Sequence, residues 1–170
     1  MEELKEEHLE CIKGEYMDTD EDEDEKQWER SKIVFDHFHE YLRNKGLKEK
    51  TADERTDLAA FFVMNYVFAY EDRIESISEV SGDIIRKFLG NWYIRKFLTP
   101  NMAEIKSFLR AILDFFIFLE KKDFVTEADV EEITEVCKDI PWFEMRLRTY
   151  FEVDDVEEFR AWREEYDYIW

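Results

Sequence analysis

"TPNMAEIKSFLRAILDFFIFLEKKDFV", residues 99–125, is the stretch that decides how this chain folds. From Asn101 to Glu120 it carries thirteen apolar side chains and seven polar ones. Ile105, Phe108, Leu109, Ile112, Phe115, Phe116 and Leu119 recur at steps of three and four, the period of a helix. Leu113, Ile117 and Phe118 widen that face until only the line Lys106–Arg110–Asp114 is suited to water. A helix apolar on nearly every side has to be wrapped by neighbours, so residues 100–121 are expected to form the centre of a bundle. Thr99 is the expected cap, with Pro100 at the first helical position, where a missing N–H costs nothing.

The flanking segments supply the neighbours. Ser31 is expected to cap a helix running to about Asn44, with Ile33, Val34, Phe38, Tyr41 and Leu42 inward and Gly46 as its left-handed stop. Thr51 and Glu54 of "TADE" offer a capping box for a second helix reaching Tyr70. Within its apolar run, Asn65 is expected to need a structural hydrogen bond if buried. Ser81 is the expected cap of "GDIIRKFLGNWYIRKFL", where Gly90 weakens or bends the helix. Thr126 and Asp129 form a second capping pattern before Val130, Ile133, Val136 and Cys137. "WFEMRLRTYF" follows Pro141, and a last helix opens at Asp154 with Glu157. No strand-like alternation persists, and the chain reads as all-α. The longest apolar run, residues 58–70, is shorter than the roughly 18 residues that suggest a membrane span. No secretory signal is visible at the start, and two cysteines are too few for a disulfide scaffold, so a reducing cytoplasm is the expected setting.

Charge is distributed unevenly within the net −20. Residues 1–30 carry a net −10, residues 31–122 a net +1 and residues 123–170 a net −11. The acidic block "DTDEDEDE", residues 18–25, has no apolar partner and is expected to be a disordered linker or tail. A neutral middle between anionic ends leaves nucleic-acid binding open for the middle alone. The ends suit a solubilising role, competition for a basic face, or attraction of a basic partner.

Chemistry-bearing motifs are scarce. His37 and His39 of "HFHE" point about 200° apart on a helix and do not converge on a metal. No Gly-rich phosphate loop, nucleophile elbow or Cys–His pair is present. No enzymatic activity, cofactor, metal or small-molecule substrate is expected. On the last helix Phe159, Trp162, Tyr166 and either Ile169 or Trp170 share a face. That stripe caps the bundle's own core or, alternatively, anchors a partner or a second copy.

Three phrases together resemble a known pattern: "FHEYLRNKGLKEKT" at 38–51, "IESISEVSGDIIRKFL" at 74–89 and the opening stretch at 99–125. Over residues 31–125 the chain resembles the N-terminal core-binding domain of tyrosine recombinases of the phage-integrase type. The resemblance implies a SAM-like orthogonal bundle of four to five helices, here preceded by an acidic arm (1–30), partly disordered, and followed by a packed helical extension (126–170). The family's catalytic Arg, His-x-x-Arg and Tyr have no counterpart after Val125, where no His occurs. Tyr150, Tyr166 and Tyr168 are therefore not read as nucleophiles. In the family the second and fourth helices face duplex DNA, which directs attention here to Arg55, Lys106 and Arg110, with Lys45, Lys48, Lys50, Lys121 and Lys122 as further phosphate contacts. Arg86/Lys87 and Arg95/Lys96, nine residues apart, cannot form one stripe on a straight helix. The expected function is a non-catalytic DNA-holding module. The alternative is an acidic protein-interaction or DNA-mimic module, self-associating or binding a basic protein through Phe159, Trp162, Tyr166 and Trp170.

Overall fold

A computed structural model describes residues 1–12 and 21–167. The chain is all-α, with seven helices and no strand among these residues. A lone antiparallel bridge joins Glu10 to Ser76. Helix α1 is Glu21–Asn44. Helix α2 runs through Glu49–Phe61, a π-helical turn at Phe62–Val67 and Phe68–Tyr70. Helix α3 is built the same way, from Gly82–Lys87, a π-helical turn at Phe88–Trp92 and Tyr93–Lys96. Then come α4 (Met102–Lys121), α5 (Glu127–Lys138), α6 (Ile140–Glu152) and α7 (Val156–Asp167). No helix among the described residues is long and apolar enough to cross a membrane.

Helix α4 is the axis. All seven residues of its recurring apolar face are buried, as is Phe118. Phe115 stacks on Phe35 at 5.2 Å and meets Phe38 edge-on at 5.1 Å, so α1 lies along one side and runs parallel to α4. Phe108 meets Phe61 of α2 at 5.9 Å and Phe88 of α3 at 5.2 Å. Such ring pairs add roughly 0.5–1.5 kcal/mol each beyond their burial.

Several helix ends differ from the sequence expectation. Helix α4 is capped by Asn101, whose side chain accepts the Glu104 N–H at 2.9 Å; Thr99 and Pro100 precede the helix. Helix α2 begins at Glu49, before Thr51. The carboxylate that caps α7 is Asp155, which accepts the N–H groups of Glu157 and Glu158 at 2.8 Å each, one residue after the expected Asp154. Ser81 occupies the α3 cap position, but the Gly82 N–H is taken by the Glu132 carboxylate of α5 at 2.8 Å. Asn65 is exposed and fills no buried role. Helix α1 begins at Glu21, well before Ser31, and Ser31 is buried inside it beside Gln27. Residues 18–20 of the acidic block lie outside the described residues. Gly46 does supply the left-handed stop, with φ +94°.

The N-terminal residues dock on the bundle. Leu9 is fully buried in a 3-10 turn, Glu6–Leu9, and the Gln27 side-chain Oε1 accepts the Ile12 N–H at 2.5 Å. A truncation at residue 30 would therefore remove core contacts and the first turns of α1.

The Thr126–Asp129 capping box is present in full: Thr126 Oγ1 accepts the Asp129 N–H at 3.2 Å, and Asp129 accepts the Thr126 N–H at 2.8 Å. These bonds from Thr126 hold the Asp129 carboxyl below its ordinary value. Thr126→Ala is expected to cost about 1 kcal/mol in urea unfolding at pH 7. A depressed carboxylate stabilises the fold above its unfolded pKa and ceases to do so as pH falls through the folded one. The difference between the two chains is therefore expected to shrink below about pH 4.

Candidate functional site

The surface singled out by the helix order lies between α2 and α4, which run antiparallel. Thr51, Glu54, Arg55, Asp57 and Leu58 face Glu104, Ser107 and Arg110 across a groove of about 450 Å³. Arg55 is ion-paired with Asp114 of α4, and both side chains are largely covered. Asp114 thus leaves the solvent line that Lys106 and Arg110 keep. Arg110 shares the groove with three carboxylates, those of Glu54, Asp57 and Glu104. Glu104 also accepts the Tyr93 hydroxyl at 2.6 Å, and burial together with this carboxylate pushes the Tyr93 pKa up. A phosphate entering here would meet more negative than positive charge.

The remaining lysines gather elsewhere. Tyr41 packs on Phe118 at 5.4 Å, so the C-terminal ends of α1 and α4 meet where α2 begins. This puts Lys45, Lys48, Lys50, Lys121 and Lys122 at one end of the bundle. Lys45 sits over Tyr41, Lys50 lies 3.9 Å from Glu54, and Lys121 lies 3.2 Å from Glu120.

The α7 aromatics turn inward. Trp162 is buried, donates its Nε1–H to Thr149 Oγ1 at 3.0 Å, and lies under the Arg146 guanidinium at 3.9 Å. Tyr166 packs on Trp142 at 4.9 Å, and half-buried Phe159 meets Tyr150 at 6.3 Å. Trp170 lies outside the described residues. Phe159, Trp162 and Tyr166 therefore fasten α7 to α6 and are not an exposed anchor. A dimerisation test by Trp162→Ala would report on folding.

The residue that organises this region is Arg146, which sequence reading passed over. It is 1% exposed. Its Nε–H donates to the Gly90 carbonyl at 3.0 Å, Nη2 to the Trp162 carbonyl at 2.9 Å, and Nη1 to Glu165 at 3.1 Å. Burial pulls its pKa down, while Glu165 and Tyr166 act in the opposite direction. No family model matches the chain, and no curated protein or solved structure shows significant similarity to it.

The titratable motifs also resolve into structural contacts. His37 reaches the Glu2 carbonyl at 2.7 Å and His39 the Asp53 carboxylate at 2.8 Å. No group of three or more metal-ligating side chains comes together among the described residues. Cys11 and Cys137 form no disulfide, and burial pushes Cys137 up to about 12.

A more open surface lies on the other side of α2. Trp28, Ser31, Lys32, Phe35, Asp36 and His39 of α1 face Asp53, Thr56, Asp57, Ala60 and Met64 of α2 across a groove of about 620 Å³. Three- and four-residue steps place Trp28, Phe35 and His39 on one helical face. Trp28 is 60% exposed at the groove's edge, while Phe35 is buried in its floor. Asp36, Asp53 and Asp57 supply rim carboxylates; Lys32 pairs with Asp36 at 2.5 Å, and His39 bridges to Asp53. Asp24 and Glu25, exposed one turn before Trp28, extend the acidic edge. Sequence reading missed this groove because Trp28 lay in a segment assigned to the arm.

Proposed function

We propose that the chain is a non-catalytic, acidic helical interaction module, with a core of the SAM-like kind, that docks a basic amphipathic segment in the α1–α2 groove. The observation that carries this reading is Trp28, an exposed indole at the edge of an apolar floor rimmed by carboxylates. Tryptophan is a frequent interface anchor, because one side chain buries a large area at low entropic cost. An acidic rim favours a cationic partner and raises its rate of encounter. The α2–α4 groove argues less well for duplex DNA, since Asp114 holds Arg55 and three carboxylates surround Arg110.

The test is calorimetric titration of the full chain with a synthetic amphipathic helix of Lys and Leu. A peptide of the same composition in scrambled order is the control. The amphipathic peptide is expected to bind more tightly, and Trp28→Ala to weaken it by about tenfold, the loss of one anchor worth 1–2 kcal/mol. Equal binding of both peptides, unaffected by Trp28→Ala, would reduce the interaction to bulk charge attraction and overturn the reading.

A further inference from the structure

The two π-helical turns face each other, and their rings meet: Tyr66 of α2 lies 4.9 Å from Phe88 and 5.4 Å from Trp92 of α3. Tyr70 stacks on Tyr66 at 6.2 Å and contacts Trp92 at 5.4 Å, yet the residue is 54% exposed, so its ring is open to another planar group. Around this shelf Tyr66, Tyr70 and Trp92 line a concavity of about 310 Å³ together with Lys87, Arg95, Lys96 and Glu71. That volume lies at the lower end of the roughly 300–1,000 Å³ typical of small-ligand sites.

The π turn is what assembles the cations. Eight residues of straight α-helix separate Lys87 from Arg95 by about 80° beyond two turns. One inserted residue takes up about 100°, which returns them to within about 20° of each other. The bulge at Phe88–Trp92 thus realigns Lys87 with Arg95, while Lys87 and Lys96, nine residues apart, move from about 180° to about 80° of each other. Arg95 donates Nε–H to the side-chain Oδ1 of the buried Asn91 at 2.5 Å, which fixes its side chain. Glu71, the acidic residue of the lining, accepts the Tyr66 hydroxyl at 2.7 Å. Lys87 and Lys96 line the concavity opposite this one carboxylate, which is already hydrogen-bonded.

We infer that this shelf binds a nucleobase carrying a phosphate, the base stacking on Tyr70 beside Trp92 and the phosphate held by Lys87 and Lys96. Free nucleotide and the exposed base of a single strand share this chemistry. Full-length protein titrated at low salt with AMP, adenosine, ribose 5-phosphate and an eight-residue oligothymidylate separates them. AMP is expected to bind more tightly than adenosine or ribose 5-phosphate. Tyr70→Ala is expected to weaken AMP binding by about tenfold or more, Tyr70→Phe to retain it, and Lys96→Gln to weaken it severalfold. Tighter, strongly salt-dependent binding of the oligonucleotide assigns the shelf to a strand, and equal or weaker binding assigns it to a mononucleotide. Circular dichroism of Tyr70→Ala guards against loss of fold. No binding of AMP or oligonucleotide, ribose 5-phosphate binding as well as AMP, or full affinity in folded Tyr70→Ala would each overturn the inference.

Discussion

Replacing Arg146 with alanine is expected to destabilise the folded chain by about 3–5 kcal/mol, measured as a loss in urea unfolding free energy. The guanidinium is buried between α3, α6 and α7 and serves the Gly90 and Trp162 carbonyls at once. Without it two helical carbonyls lose an added charged donor, the space of a buried side chain is left empty, and the Trp162 and Tyr166 rings lose the cation packed against them. Glu165 contributes little of this, because its side chain is 60% exposed. Glu165→Gln is therefore expected to cost less than about 1 kcal/mol. Arg146→Lys keeps the charge but loses the planar fork that reaches two carbonyls, and should fall between. A loss under about 1 kcal/mol for Arg146→Ala would mean that α7 is not fastened through this residue.

Gly90→Ala carries the second large effect, and its sign is the informative part. At an ordinary helix position this change stabilises by about 1 kcal/mol. Here a Cβ on residue 90 would lie 2.4 Å and 2.5 Å from two carbons of the Trp142 ring. The indole cannot simply rotate away: it lies under the Arg86 guanidinium at 4.5 Å, and its Nε1–H donates to the Tyr166 hydroxyl at 3.3 Å. A net loss of about 1–3 kcal/mol is expected, as for overpacking elsewhere. Trp142→Leu should relieve most of the clash, so a double-mutant cycle should show strong coupling between the two positions. Additive effects would place Trp142 away from Gly90.

These two residues also mark where sequence reading stopped. The α4 face from Ile105 to Leu119 was legible because period and burial agree along its whole length. Gly46 and the Thr126–Asp129 box were legible because each demands a particular residue type at one position. Thr99 was the wrong cap because "TPN" offers two capping residues, and only geometry shows that the Asn101 oxygen reaches the third helical N–H. The helical state of residues 21–30 was missed because repulsion among the carboxylates was weighed and the docking of Gln27 against Ile12 and Ser31 was not. The π turns were not legible at all. An inserted residue shifts the helical phase without altering composition, so the alignment of Lys87 with Arg95 was hidden, and Gly90 hinted only at a bend. Arg146 looked like one charge among many in "WFEMRLRTYF", because burial of an arginine is a property of its neighbours.

For function, the same logic separates cations that pair locally from those that face solvent. Arg55 has its counter-charge on the neighbouring helix, Lys50 and Lys121 have theirs on their own, and Lys45 lies over a tyrosine. What stays conspicuous on the surface is Trp28 above its acidic groove. The most direct measurement is a backbone and indole NMR titration of the full chain with the Lys/Leu amphipathic peptide. Groove docking predicts shift changes concentrated at the Trp28 indole and at Phe35, Ala60 and Met64; changes spread over the acidic faces of α5 and α7, with Trp28 unmoved, would contradict it.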